Sequence, residues 1–406
     1  MLKKLENFDG YKGPVVVVVM DGIGISDKTV GNAVYHGYTP YLDSLFNEYP
    51  NTLLKAHGLA VGLPSDDDMG NSEVGHNAIG SGQIYSQGAK LVNEAISSGK
   101  MFQGKAWQDV AENVKNNNST LHFIGLFSDG NVHSHIDHLK AMLLKAKKEG
   151  IRKARIHVLL DGRDVGETSA LLYIDPFEDF LKEIRNTDFN VKIASGGGRM
   201  KVTMDRYEAN WSIVETGWKT HVLGDGRQFE SAHQAIETYR KEKNVIDQDL
   251  PPFVIAENGK PVGTISDNDS VVFYNFRGDR AIEISRAFDE ENFSMFNRIK
   301  YPKVVYAGML EYDGDLHIPG RYLVAPPEIR NTMGEYLAKA GISQLAISET
   351  QKYGHVTYFW NGNKSGKYSD KLETYIEVPS DIVPFEERPW MKAVDITEKM
   401  IEQLRT

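Results

Sequence analysis

Hydrophobic residues along this chain fall into short apolar runs and helical stripes that take turns. Residues 15–20 read Val-Val-Val-Val-Val-Met. An unbroken run of that length predicts a central parallel strand covered on both faces. Thr39 and Pro40 then have the form of a helix start, with threonine as cap and proline in the first turn. Leu42, Leu45 and Phe46 are its predicted buried side. A further helix is predicted to follow Ser72. From about residue 88 the alternation becomes regular. A helix carrying Phe102, Trp107, Val110 and Val114 leads to a strand at 121–127. A helix carrying Leu139, Met142, Leu143 and Ala146 leads to a strand at 156–160. Phe177, Phe180, Leu181 and Ile184 lead to a strand at 191–194, and more strands are predicted at 271–274 and 304–307. Helix and strand in alternation predict βαβ units around a parallel sheet, an α/β fold.

Two stretches rich in turn formers, 81–88 and 312–327, interrupt the pattern. Beyond the second, a helix at 333–339 and strands at 345–348 and 356–360 are predicted. The chain has no internal repeat, and the polar stretches at 116–119 and 241–249 read as solvated turns. A length of 406 residues exceeds one simple core, so two domains are expected.

Composition narrows the class. A charged fraction of 25% against 41% hydrophobic is that of a globular protein without membrane spans, since no apolar run reaches spanning length. The net charge of −10 argues against a general nucleic-acid binder. There are no cysteines, which excludes disulfides and thiolate metal sites and fits a reducing cytoplasm. Met1, Leu2, Lys3 and Lys4 are followed by Glu6 and Asp9 rather than by an apolar stretch, so no signal peptide is read at this end.

The chemistry gathers where strands end. Asp68-Met69-Gly70-Asn71-Ser72-Glu73-Val74-Gly75-His76-Asn77 sets a serine among small residues at a predicted helix start. A hydroxyl nucleophile suits that place, because glycines admit a phosphate and the free N–H groups attract it. Asp21, at the end of the 15–20 run, opens Asp21-Gly22-Ile23-Gly24 and suggests a carboxylate serving a metal-activated serine. Each motif alone also fits a strand-end aspartate or a helix-capping serine. Four more clusters follow predicted strands: Ser128 to His135, Asp161-Gly162-Arg163-Asp164, Gly196-Gly197-Gly198-Arg199 with Asp205-Arg206 beyond, and Asn275-Phe276-Arg277-Gly278-Asp279-Arg280. Ligands of open α/β sheets bind beyond the carboxyl ends of strands, and arginine forks suit carboxylate and phosphate. A concentrated anion site is therefore expected there. His133, His135 and His138 have a spacing that can hold a metal, but a substrate-contacting His133 beside a capping Ser134 is the stronger reading. His57, His122, His157, His221, His233 and His317 carry no motif context and read as structural or surface residues. Lys352, in Ser348-Glu349-Thr350-Gln351-Lys352-Tyr353-Gly354-His355, follows a predicted strand and is a candidate cation for a phosphate.

Taken in order, these motifs strongly resemble cofactor-independent phosphoglycerate mutases, from about residue 14 to the end of the chain. The spacing from Arg199 to Arg206 and the form Leu63-Pro64-Ser65-Asp66-Asp67-Asp68 look like the branch found in plants, trypanosomatids and some bacteria. The resemblance implies an alkaline-phosphatase-like domain, residues 1–86 and 325–406, interrupted by an inserted α/β substrate-binding domain, 87–324. It implies interconversion of 3- and 2-phosphoglycerate, as in glycolysis and gluconeogenesis, through a phosphoserine on Ser72. It implies Asp21 and Ser72 as ligands of manganese, with magnesium or cobalt as alternatives. It implies substrate contacts from His133, Arg163, Asp164, Arg199, Arg206, Arg277, Arg280 and Lys352, with Asp164 also moving the proton between glycerate hydroxyls. No bisphosphoglycerate cofactor, no nucleic acid and no membrane is expected, and a cytoplasmic monomer is.

The sequence departs from that pattern near its end. The family's remaining metal ligands, an Asp and a His on one segment, an Asp-His-Gly motif and a final His, have no counterpart, and no histidine follows His355. Asp370, Asp381 and Asp395 lack a histidine partner. The expectation is a C-terminally truncated piece of a mutase, inactive alone. Two alternatives stay open: a phosphoglycerate-binding protein without turnover, or another phosphomutase of the alkaline-phosphatase group.

Overall fold

The computed structural model describes residues 5–405 except 64, 67, 68, 87, 207, 314, 315, 326, 365 and 384–386. Met1 to Lys4, Pro64, Asp67, Asp68, Gln87, Gly314, Asp315, Pro326 and Thr406, which enter the readings above, lie outside the described residues. The chain divides into two compact units. One comprises Met1–Val61, Ser65–Tyr85 and Ile329–Thr406; the other comprises Gly62–Pro64 and Ser86–Glu328.

The second unit is the regular α/β part. Its strands are β1 (Leu121–Phe127), β2 (Lys153–Leu160), β3 (Asn190–Gly198), β4 (Arg227–Phe229), β5 (Phe253–Glu257), β6 (Lys260–Pro261), β7 (Ser270–Phe273) and β8 (Val305–Gly308). They form one sheet in the order β4-β5-β3-β2-β1-β7-β8, with β6 paired to β5. The run from β3 to β8 is parallel throughout, while β3 and β5 are antiparallel. Every residue of β1 is buried, as expected of a strand covered on both faces. The covering helices present their stripes as predicted. Trp107, Val110 and Val114 are buried on helix Lys105–Asn117, and Leu139, Met142, Leu143 and Ala146 on Ile136–Lys148. Each large apolar side chain so buried contributes about 1.5–3 kcal/mol. Register then positions the chemistry. Phe127 lies opposite Leu160, and Leu160 opposite Gly198, so the turns starting at Ser128, Asp161 and Arg199 leave the sheet side by side.

The first unit is sparser. It holds helices Pro40–Glu48, Ser72–Ser81, Met333–Lys339 and Ala393–Leu404, with β9 (Gln344–Glu349) paired in parallel to β10 (Glu373–Val378). Four expectations fail here. Residues 15–20 form no strand and are exposed, Val15 by 78%. A strand buried on both faces needs pairing neighbours, and β9 and β10 pair only with each other. The side of helix Pro40–Glu48 predicted as buried is open for the same lack of a covering layer: Leu45 and Phe46 are exposed and no residue of the helix is buried. Its Thr39 makes no side-chain cap. The strand predicted at 356–360 is helical instead. Bonds from Thr357 Oγ1 to the Tyr353 carbonyl and from the Asn361 N–H to the Thr357 carbonyl continue the turns begun at Thr350, and this local pairing outweighs the β-branched and aromatic composition. No described helix is long and apolar enough to cross a membrane.

Candidate active site

In the first unit the serine stands where the sequence set it, as the first residue of helix Ser72–Ser81. The Asn71 side chain accepts from the Val74 N–H at 3.1 Å and caps the helix. Gly70 is required by close approach, because a Cβ there would lie 1.9 Å from the Ala56 carbonyl oxygen. The Ser72 hydroxyl donates to Asp21 Oδ2 at 2.9 Å, and Lys352 Nζ donates to the same oxygen at 2.6 Å. Lys352 is carried by the short helix Thr350–Gly354 that follows β9. His355 Nε2 lies 3.9 Å from that oxygen, and the His76 ring packs edge-on against His355 while donating from Nδ1 to the Ser72 carbonyl at 2.7 Å. Burial tends to raise the Asp21 pKa, but the Lys352 ammonium and the Ser72 hydroxyl outweigh it and hold the carboxyl below its ordinary range. A carboxylate this weakly basic orients the hydroxyl rather than taking its proton. His76 and His355 were within reach of the sequence as members of the serine and lysine motifs, though no single spacing marks them.

The metal that the resemblance implies finds two donors here, Asp21 and Ser72. Among the described residues no three His, Asp or Glu side chains converge. Two oxygens, one already bonded to an ammonium, fall short of the six-ligand shell of a hard divalent cation, so the described residues do not fit the group.

In the second unit the strand-end turns build a cation cluster. Arg199, 1% exposed, donates from Nη1 to Asp161 Oδ1 at 2.9 Å and to Asp164 Oδ2 at 2.5 Å. Asp161 is the hub of this corner. It accepts from the backbone N–H groups of Arg163 and Asp164 and from the Ser128 hydroxyl at 2.6 Å, which ties the turns after β1, β2 and β3 together. Asp279 is a second hub. Arg277 Nε lies 3.3 Å, His133 Nδ1 3.5 Å and Arg206 Nη1 3.6 Å from its carboxylate. Arg280 donates to the Met204 carbonyl at 2.5 Å and is brought down to about 10, first by burial and then by the nearby Arg199. His133 is buried, and desolvation with four surrounding arginines pushes its pKa well below 6.5, so it is neutral. Five guanidinium groups, counting Arg163 beside Arg280, face three carboxylates, which leaves the cluster net positive. The structure thus brings together His133, Arg163, Asp164, Arg199, Arg206, Arg277 and Arg280. Asp161 and Asp279 were missed as partners; the signal for them was an acid set within each arginine motif.

The neighbouring histidines take other parts. His138 Nε2 pairs with Asn93 Oδ1 at 2.7 Å. His135, not Ser134, caps helix Ile136–Lys148 by accepting from the Asp137 N–H, while the Ser134 hydroxyl donates to the Leu126 carbonyl at 2.5 Å. The backbone leaves the serine pointing at the strand, so the cap passes to the next side chain.

Known proteins resemble this chain along most of its length. The family described as BPG-independent PGAM N-terminus matches residues 92–314. A probable 2,3-bisphosphoglycerate-independent phosphoglycerate mutase of Leptospira interrogans is 59% identical over 393 residues, 96% of this chain and 72% of that protein. The corresponding mutase of Trypanosoma brucei brucei is 50% identical over 97% of this chain and 72% of its own length. A crystal structure of Leishmania mexicana phosphoglycerate mutase at low cobalt concentration superposes with a TM-score of 0.88 at 50% identity, covering 95% of this chain and 71% of that one.

Proposed function

Because this chain belongs to the 2,3-bisphosphoglycerate-independent phosphoglycerate mutase family, a family of isomerases, we propose that its two residue sets are the nucleophile set and the substrate cradle of that reaction. The architecture is the family's α/β one, an alkaline-phosphatase-like domain with an inserted domain. In this reading the first unit is the phosphatase-like domain and the second binds substrate. Ser72 Oγ attacks the phosphorus of 3-phosphoglycerate; the bond from phosphorus to the C3 oxygen breaks, and that oxygen takes a proton. The glycerate then turns, its C2 hydroxyl gives up a proton and attacks the phosphoserine, and Ser72 is restored. In this reading Asp164, held by Arg199, gives and takes the proton. The arginines hold the glycerate carboxylate and spread the charge of the phosphoryl group, and Lys352 supplies a cation beside Ser72. The family name fits a reaction without bisphosphoglycerate. In this reading the protein works in glycolysis and gluconeogenesis, in the cytoplasm, as a monomer acting on a small molecule.

The observation that carries the reading is the net-positive arginine cluster at the strand ends, in which Arg199 and Arg280 are buried beside buried, neutral His133. A second reading, binding of phosphoglycerate without turnover by residues 1–406 alone, draws on the two-donor set at Asp21 and Ser72. Titration calorimetry with 3- and 2-phosphoglycerate tests the cradle common to both. Each should bind and displace the other; a chain that binds neither has no such cradle.

A further inference from the structure

Six buried polar side chains run in file across the sheet of the second unit, away from the arginine turns. His122 Nε2 lies 3.2 Å from Asp269 Oδ2, and His122 Nδ1 lies 2.9 Å from His157 Nε2. His157 Nδ1 lies 2.7 Å from Ser195 Oγ, which lies 2.8 Å from His221 Nδ1; His221 Nε2 lies 3.0 Å from Thr203 Oγ1. All six are buried. Burial pushes the three imidazoles down, His221 to about 3, so each is neutral with one N–H and one bare nitrogen.

One end of the file fixes the direction of all the rest. The Asp269 carboxylate only accepts, and it already takes the N–H groups of Thr120 and Ser266, each at 2.8 Å. His122 must therefore donate from Nε2 and accept at Nδ1, and His157 must donate from Nε2 and accept the Ser195 hydroxyl. Ser195 must accept from His221 Nδ1–H, which leaves His221 Nε2 to accept the Thr203 hydroxyl proton. At the far end, Thr203 is a β-branched residue with φ of +71°, a conformation that persists only where the surroundings hold it. It lies in the loop that leaves β3 with Arg199, continues through Met204, whose carbonyl holds Arg280, and reaches Arg206.

We propose that Asp269, His122, His157, Ser195 and His221 form one directed hydrogen-bond chain that holds Thr203, making Thr203 and His221 positioning residues for the arginine cluster. This rests on the cluster being the phosphoglycerate cradle. The chain spans four strands, β7, β1, β2 and β3 or the turns next to them, and so adds a tie from the loop to the middle of the sheet to the loop's own backbone bonds, such as Thr203 N–H to the Ile213 carbonyl at 2.9 Å.

The test uses the full chain with histidine labelled by ¹⁵N, and 3-phosphoglycerate as ligand. NMR should find the N–H on Nε2 in His122 and His157 and on Nδ1 in His221; the opposite tautomer at His221 overturns the proposal. By calorimetry, Thr203→Val should raise Kd for 3-phosphoglycerate at least tenfold, while Thr203→Ser, which keeps the hydroxyl, should stay within threefold of the parent. Parent-like binding by Thr203→Val overturns the positioning role and leaves the cradle standing. No binding by the parent removes the cradle, and this inference with it.

Discussion

Arg277 reaches Asp279 and the His133 pocket from the turn after β7 and is only partly covered, so it can be removed without collapse. Arg277→Ala should cost about 1.5–3 kcal/mol of binding to an anionic ligand, a roughly 10- to 150-fold rise in Kd for 3-phosphoglycerate. An unchanged Kd by calorimetry would remove Arg277 from the cradle. Arg199 is a poorer probe, because Asp161 and Asp164 both depend on it, and stripping a buried partner from them confounds binding with stability. At Asp21 the same reasoning limits chemistry: a carboxyl held low by Lys352 and Ser72 fixes where the hydroxyl proton points and does little to remove it.

At the scale of elements, two strands predicted with similar patterns meet opposite fates. Residues 15–20 are a continuous apolar run, and 121–127 are apolar except for His122 and Gly125. The segment 121–127 sits between β2 and β7 and is wholly buried; 15–20 has no pairing and lies in solvent. Amide hydrogen exchange should therefore be slow across β1 and fast across 15–20, and protection of 15–20 comparable to that of β1 would contradict the open arrangement. Within β1, Gly125 leaves room for the Tyr274 ring, whose carbons would lie 2.7 Å from an added Cβ, and Tyr274 donates to the Gly125 carbonyl at 3.0 Å. Gly125→Ala should destabilise the protein by about 1–3 kcal/mol, read as a lower urea midpoint. An unshifted midpoint would mean that the ring moves freely.

For the whole molecule, pH and turnover follow from the same inventory. His122, His133, His138, His157 and His221 are all pushed below 6.5, chiefly by burial. Below pH 6.5 the unfolded chain binds protons that the folded one refuses, so stability is intact above that value and is lost as pH falls. Each histidine adds up to about 1.4 kcal/mol per pH unit. Glu283, raised to about 8 by burial and by Asp205, works the other way between 4.5 and 8, and Glu178 and Asp289, both raised by burial, do so nearer the ordinary carboxyl range, but they are three groups against five. The urea midpoint should drop steeply from pH 6.5 to 5; a flat profile would mean that these imidazoles titrate normally. Turnover should be absent from residues 1–406, because among the described residues Asp21 and Ser72 are joined by too few further donors to make a serine hydroxyl a nucleophile at neutral pH. An enolase-coupled assay with manganese added checks this, and activity lost in Ser72→Ala would disprove it. Much of this was legible in order along the chain. Periodicity marked the helices and strands of the second unit, because each stripe there has a layer to bury it. The serine, the arginine turns and Lys352 were legible as motifs, because short spacings and glycine turns are local properties. The placement of 15–20, the helical course of 356–360, the roles of Asp161 and Asp279 and the file of buried histidines were not. These depend on which strands lie side by side, and hydrogen bonds between residues dozens of positions apart have no period to read. The sequence by itself determined the chemistry available at the strand ends; only the tertiary structure decided which runs found a partner and which buried groups met, because pairing and burial belong to neighbours in space.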